Sequence, residues 1–128
     1  MELQRVGFFR ELHPSQDLPS IHDAVRPDGP PDEERIVAYL ESGVCLAACG
    51  GVQRDVIDPP NGHVTSPDKV TDGVWLWPGE LAYYVTHYHL DLPREFTDWM
   101  RRNAWQIPTL SASEGSRLFG QIFPKSAE

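Results

Sequence analysis

Residues 71–90, TDGVWLWPGELAYYVTHYHL, constrain the fold most, because the hydrophobic period changes in the middle of this stretch. In an extended strand, Val74 and Leu76 face one side, whereas Trp75 and Trp77 face the other. After Pro78 the apolar residues recur at helical spacing. The helical positions are Leu81, Val85 and Tyr88. A strand followed directly by a helix predicts a helix packed on a sheet, with the two tryptophans as the slab between them.

Residues 31–42, PDEERIVAYLES, predict a second helix followed by a strand. Pro31 suits the first helical position, and the acidic residues after it complement the positive end of the helix dipole. Gly43 is predicted to close this helix in a left-handed cap. From Val44 the run VCLAAC is apolar on both faces, which is typical of a strand covered on both sides.

The whole chain of 128 residues predicts a single domain, 1–128. We expect an irregular N-terminal segment over 1–30, a β-meander rich in turn residues over 58–73, two further helices after residue 90, and a frayed tail over 124–128. The fold class is therefore predicted as α+β. It has a small antiparallel sheet of three or four strands, with helices packed mainly on one face.

The charge balance excludes one class of function. Eleven basic residues against nineteen acidic ones give a net charge of −8, and the largest basic cluster is the pair Arg101-Arg102. Binding to a nucleic-acid backbone requires concentrated positive charge, so no nucleic-acid partner is expected. The same acidic excess keeps a protein soluble and steers association with a basic partner.

No localisation or cofactor signal is present. The first residues lack the pattern of a secretion signal, and the apolar run 43–52 is about half the ~20 residues of a membrane span, so we expect a cytoplasmic protein without a membrane partner. Cys45 and Cys49 would lie about 13 Å apart on a strand, too far for a disulfide. His87 and His89 lie about 200° apart on a helix, so they cannot chelate one ion. Neither a metal nor a cofactor is expected.

Catalytic motifs are also missing from the sequence. It contains no nucleophile elbow, phosphate-binding loop, dinucleotide fingerprint or zinc-protease motif. Whether the chain is an enzyme is left open, with a non-enzyme favoured.

Three functions remain open. The leading prediction is a protein-interaction module in which acidic residues steer a basic protein partner and an exposed aromatic residue anchors it. Its candidate residues are Asp58, Asp68, Asp72, Glu80 and Tyr83. The alternative is a small enzyme or small-ligand binder with a pocket between the sheet and helix 78–89. Its candidates are His63, His87 and Asp55. A structural subunit that pairs through a sheet edge is the third.

A different interpretation of the aspartates competes with both sites, because aspartates in turns commonly bind nearby backbone amides. The cluster in the predicted meander contains Asp55, Asp58, Asp68 and Asp72. Under this interpretation these carboxylates hold turns in shape, and they have no direct role in binding or chemistry.

The segments TDGVWLWPGELAYYV and YHLDLPREF, together with ERIVAYLESG, resemble a group of small, acidic, uncharacterised actinobacterial proteins. The resemblance covers about half of the chain and transfers no catalytic residue. The general format, a compact acidic α+β domain without catalytic motifs, is similar to that of immunity proteins that neutralise basic toxin enzymes. This likeness of format implies an inhibitor that occludes its partner, and a shared format alone does not establish a function.

Overall fold

The computed structural model describes residues 4–11, 18–47, 55–58, 60 and 68–122. Four strands, one 3₁₀ helix and four α-helices lie in these ranges. In chain order they are β1 (Gln4–Arg5), the 3₁₀ helix (Ile21–Ala24), α1 (Glu33–Glu41), β2 (Val44–Ala47), β3 (Lys69–Thr71), β4 (Trp75–Pro78), α2 (Leu81–Tyr88), α3 (Arg94–Arg102) and α4 (Ala112–Ile122). The predicted α+β class is confirmed.

The four strands form one mixed sheet in the order β1-β4-β3-β2. Strand β3 pairs antiparallel with both β2 and β4, as in a meander. Strand β1 pairs in parallel with β4, where Gln4 is in register with Trp75. The sequence predicted an antiparallel sheet, whereas the parallel pair β1–β4 makes the sheet mixed. The reason is that the irregular N-terminal segment returns to the sheet and adds an edge strand to β4.

The tryptophan slab packs against two helices. Trp77 is fully buried and Trp75 nearly so. The ring of Phe96 on α3 lies 4.8 Å from that of Trp75 and 5.4 Å from that of Trp77, measured between centroids. The indole Nε1 of Trp77 donates a hydrogen bond of 3.1 Å to the carbonyl oxygen of Leu40 on α1. The slab thus joins the sheet to α1 and α3, and the indole nitrogen of Trp77 is satisfied inside the core.

The end of α1 differs from the prediction. Helix α1 ends at Glu41, its C-cap residue Ser42 is in the right-handed conformation, and Gly43 does not adopt the left-handed cap. Gly43 is required for a different reason. A Cβ at this position would lie 2.4 Å from Cγ1 of Val70 and 2.6 Å from the Trp77 ring. The glycine therefore lets α1 pass directly into β2 across the face of the sheet.

Some predictions fall outside these observations. The expectation that helices pack mainly on one face stays a prediction, as does the single-domain boundary. Cys49, His63 and the tail 124–128 lie outside the described residues. None of the helices in the described ranges combines the length and apolar character needed to cross a membrane.

Candidate functional site

The turn between β3 and β4 is built around the buried carboxylate of Asp72. Its Oδ1 accepts hydrogen bonds from the backbone amides of Val74 and Trp75, at 2.9 and 2.7 Å. Its Oδ2 accepts from the hydroxyl of Tyr39 and from the indole Nε1 of Trp99. Burial and the adjacent carboxylate raise the pKa of the Tyr39 hydroxyl, so it stays a donor. The motif TDGVW is therefore a structural hub that connects the turn to α1 and α3.

This arrangement corrects two predicted partner contacts. The side chain of Asp72 is 0% exposed and that of Glu80 is 1% exposed. Neither carboxylate reaches the surface, so neither belongs to an exposed acidic rim. For Asp72 the physical reason is that the four donors around its two oxygens replace the water lost on burial. The competing interpretation of turn aspartates describes Asp72 correctly.

Asp55 is a second buried carboxylate and holds the segment 55–58 against α2. Its Oδ1 accepts from the backbone amides of Ile57 and Asp58, both at 2.8 Å. Its Oδ2 accepts from the hydroxyls of Tyr83, at 2.6 Å, and Tyr88. Burial alone raises the pKa of this carboxyl, but the four hydrogen bonds outweigh burial and lower the pKa to about 2. Asp55 is therefore a permanent anion at neutral pH and a poor proton carrier.

The tyrosines held by Asp55 form part of a surface on the outer side of α2. His87 is exposed, and its ring packs against that of Tyr83, with the centroids 4.2 Å apart and the planes tilted by 34°. Tyr83 and Tyr88 are half-buried, and Asp58 is exposed at the end of the tethered segment. We call Asp58, Tyr83, His87 and Tyr88 the α2 aromatic patch. It brings together two predicted partner-binding residues, Asp58 and Tyr83, with His87 from the predicted pocket.

The predicted pocket between the sheet and α2 is packed core in the part of the chain that the structure describes. The α2 side chains Leu81, Tyr84 and Val85 belong to the same buried cluster as the two tryptophans of β4. Burial raises the pKa of Tyr84 to about 12, and its hydroxyl oxygen accepts a hydrogen bond of 3.0 Å from the amide of Val56. Of the three predicted pocket residues, Asp55 and His87 lie on the outer side of α2, and His63 is outside the described residues.

Asp68 is the last predicted partner residue. It precedes β3, is half-buried, and its backbone carbonyl accepts a hydrogen bond of 2.7 Å from the amide of Gly79. Its main-chain role is to close the open end of the β3–β4 hairpin.

A further site, which the sequence analysis missed, lies where α2 ends. His89 adopts a left-handed conformation with φ 53°, and this reverses the chain after α2. The next residues then run beside the end of the 3₁₀ helix, where the amide of Asp91 donates to the carbonyl of Ala24 and that of Arg26 to the carbonyl of Tyr88. A non-glycine residue in this conformation is uncommon and is frequently associated with function.

The imidazole of His89 is bound to Glu33 at the start of α1. Its Nδ1 lies 2.9 and 3.0 Å from the two carboxylate oxygens. Carboxylate oxygens only accept, so Nδ1 must carry the proton. The contact depends on Gly29, because a Cβ there would lie 1.8 Å from Oε2 of Glu33. Glu33 and His89 are 56 residues apart, and no sequence spacing links them.

This pair forms one wall of a groove of about 520 Å³ between the start of α1, the end of α2 and the start of α3. We call it the α1–α3 groove. Its charged and titratable lining residues are Arg26, Asp28, Glu33, His89, Arg94 and Arg101, together with Asp91. Its size is within the range of small-molecule sites. Within the described ranges, no group of three His, Cys, Asp or Glu residues could hold a metal ion.

Comparison with known proteins adds no further assignment, because no protein-family profile, curated protein or solved structure matches this chain.

Proposed function

We propose that the protein is an interaction module that binds a basic protein partner through the α2 aromatic patch. One observation carries this proposal. The Asp55 carboxylate holds the hydroxyls of Tyr83 and Tyr88 at the same time, while the rings remain half-exposed. The aromatic side chains are therefore fixed in place before any partner arrives.

Fixed aromatic side chains favour binding because association must otherwise order them. Immobilising a flexible side chain at an interface costs about 0.5–1.5 kcal/mol. Tyr83 is restrained in two ways, by the hydrogen bond from its hydroxyl to Asp55 and by the tilted His87 ring that packs against its own ring. Tyrosine is also enriched among the residues that dominate binding energies. The patch therefore offers preformed anchors.

The acidic character of the chain supports a basic partner. The net charge is −8, and the exposed residue Asp58 is tied by its backbone amide to the same Asp55 carboxylate that holds the aromatic anchors. A complementary positive surface would associate rapidly, with a rate that falls as salt screens the attraction. The mechanism would be occlusion of the partner's own site, the mode implied by the immunity-like format. Asp68, which precedes β3, is a secondary candidate for contact with the same partner.

The test is affinity capture of the tagged protein from cells that naturally express it, at low and at high salt. The variant D58N/H87A removes the exposed charge and ring while leaving the Asp55 tether intact. E95Q/H22A is the matched control, because both of its residues are exposed and lie outside the patch. We expect one basic protein that is captured by the wild type and by the control but not by the patch variant.

The captured protein would then be purified and titrated against the three proteins by calorimetry. The proposal requires at least a tenfold weaker affinity for D58N/H87A than for E95Q/H22A, equivalent to about 1.4 kcal/mol. Equal affinity for the two variants, or capture of no basic protein at either salt, would contradict it.

A further inference from the structure

We infer that the α1–α3 groove binds a small organic acid, with Arg94 holding its carboxylate and Nε2 of His89 accepting a hydrogen bond from a hydroxyl group on the same molecule. This site is separate from the α2 aromatic patch. It shares no residue with that patch and requires no protein partner.

The first feature of the groove is that most of its charged groups already contact another residue of the chain. Glu33 is occupied by His89, and Asp91 pairs with Arg26 at 3.4 Å. Arg101 pairs with Asp32 at 2.8 Å and with Asp98 at 3.0 Å. Most of the charged groups in the lining therefore already have a partner within the chain.

Arg94 is different. Within the described ranges its guanidinium forms no ion pair or hydrogen bond, and it is exposed at the groove. Guanidinium presents a planar fork of donors that matches a carboxylate with two parallel hydrogen bonds. The one other charged lining group without such a contact, Asp28, is exposed to solvent and is therefore screened.

The second feature of the groove is Nε2 of His89, the ring nitrogen that does not contact Glu33. In the neutral tautomer that carries its proton on Nδ1 and donates it to Glu33, Nε2 is an acceptor. In the described part of the chain, Nε2 has no hydrogen-bond partner. Three structural features together hold the ring in this orientation: the left-handed backbone of His89, the two-oxygen contact from Glu33, and the space left by Gly29. An acceptor held in this way selects a ligand that carries a donor.

The third feature of the groove is the apolar part of its lining. Ile36, Val85, Leu90 and Leu92 contribute to the groove between the polar groups. A ligand with a hydrocarbon body beside its polar groups would cover this surface and displace water from it. The structure thus indicates a hydroxylated organic acid, and it selects against a bare inorganic anion.

The test compares two probes that differ by a single hydroxyl group, mandelate and phenylacetate. Each is titrated by calorimetry into the full chain at constant ionic strength, and NMR amide shifts locate the site. We expect saturable binding of both acids. Mandelate should bind about fivefold more tightly, because only mandelate has a hydroxyl group that can donate a hydrogen bond to Nε2. Shifts should concentrate around Thr97 and His89, which line the groove.

Two variants separate the roles. R94Q should weaken both acids about tenfold. H89N should abolish the preference for mandelate while leaving phenylacetate unaffected, and asparagine tolerates the left-handed backbone, so the chain should still fold. R117Q, on the exposed surface of α4, is the control and should bind as the wild type does.

The proposal is overturned if neither acid binds saturably, if R94Q and R117Q bind equally, or if the wild type does not distinguish the two acids. None of these results depends on whether a protein partner for the α2 aromatic patch is found.

Discussion

Replacement of Asp72 by asparagine is expected to lower the free energy of unfolding by about 2–3 kcal/mol. Asparagine keeps one oxygen for the amides of Val74 and Trp75, but an NH₂ group replaces Oδ2. The hydroxyl of Tyr39 can rotate and accept from that group. The indole Nε1 of Trp99 has no such option because it is a donor only.

The size of this loss in stability follows from the Trp99 indole, which would lose its acceptor and face a second donor. A hydrogen bond to a charged group contributes about 1.5–3 kcal/mol, and an unsatisfied buried donor costs a further 1–3 kcal/mol or so. Trp99 is half-buried, so water can reach its indole and the second cost stays small. The larger substitution D72A would leave all four donors without the carboxylate, and the expected loss then approaches the whole stability of a small domain.

The assay is urea unfolding followed by far-UV circular dichroism, which does not depend on tryptophan emission. Wild type, D72N, W99F and D72N/W99F form a double-mutant cycle, with E95Q as an exposed control within about 0.5 kcal/mol of the wild type. We expect D72N to cost about 1–2 kcal/mol less in the W99F background, with unchanged m values. A coupling energy near zero, or a D72N midpoint equal to that of the wild type, would refute the reasoning.

Three other substitutions or conditions have defined outcomes. The pKa of Asp55 is lowered to about 2 in the folded chain, from about 3.9 when unfolded, so its stabilisation is complete above about pH 5. About 2.5 kcal/mol should be lost as the pH falls from about 5 to below about 2, and D55N should lose this part of the pH dependence in acid titrations of unfolding. G43A should lower the thermal midpoint, because its methyl group meets Val70 and Trp77, whereas G115A, whose Cβ would meet open space, should not. G29A should release Glu33 from His89 and move the His89 ring resonances in NMR spectra, with little change in stability.

Sequence could predict the helices and strands whose hydrophobic pattern is complete within a short segment. The strand before Pro78 and the helix after it were both predicted, because the alternation of Trp75 and Trp77 and the later helical spacing are complete within twenty residues. The 3₁₀ helix also begins with a local contact, because the hydroxyl oxygen of Ser20 accepts a hydrogen bond from the amide of His22 two residues on.

What could not be predicted depends on contacts between distant segments. The parallel pairing of Gln4 with Trp75 has no local pattern, because a strand of two residues carries no detectable period. The Glu33–His89 contact joins the start of one helix to the end of another. Its only local trace, a histidine near a helix end, also fits a simple interaction with the helix dipole.

The burial of the acidic residues illustrates the same limit most clearly. An aspartate in a turn looks identical in sequence whether its second oxygen faces water or a tyrosine hydroxyl. Asp72 and Asp55 each bind two backbone amides locally, as the competing interpretation anticipated. Each is buried because distant aromatic donors, Tyr39 among them, supply the remaining bonds. Sequence charge therefore overstates the acidic surface available to a partner.

The same donors explain the density of aromatic residues between the β3–β4 turn and the end of α2. A phenol or indole combines an apolar body, which fills a core, with one polar atom that can satisfy a buried carboxylate. On α2 the two uses divide by helix face: Tyr84 is fully buried, whereas Tyr83 and Tyr88 turn outward and are held by Asp55. Replacing either outward tyrosine by phenylalanine should therefore leave the core intact but free one side of the Asp55 tether. Y83F removes one hydroxyl and also releases the ring at position 83 from Asp55. If the α2 aromatic patch binds its partner because it is preorganised, Y83F should weaken the affinity by more than the loss of one hydroxyl contact alone.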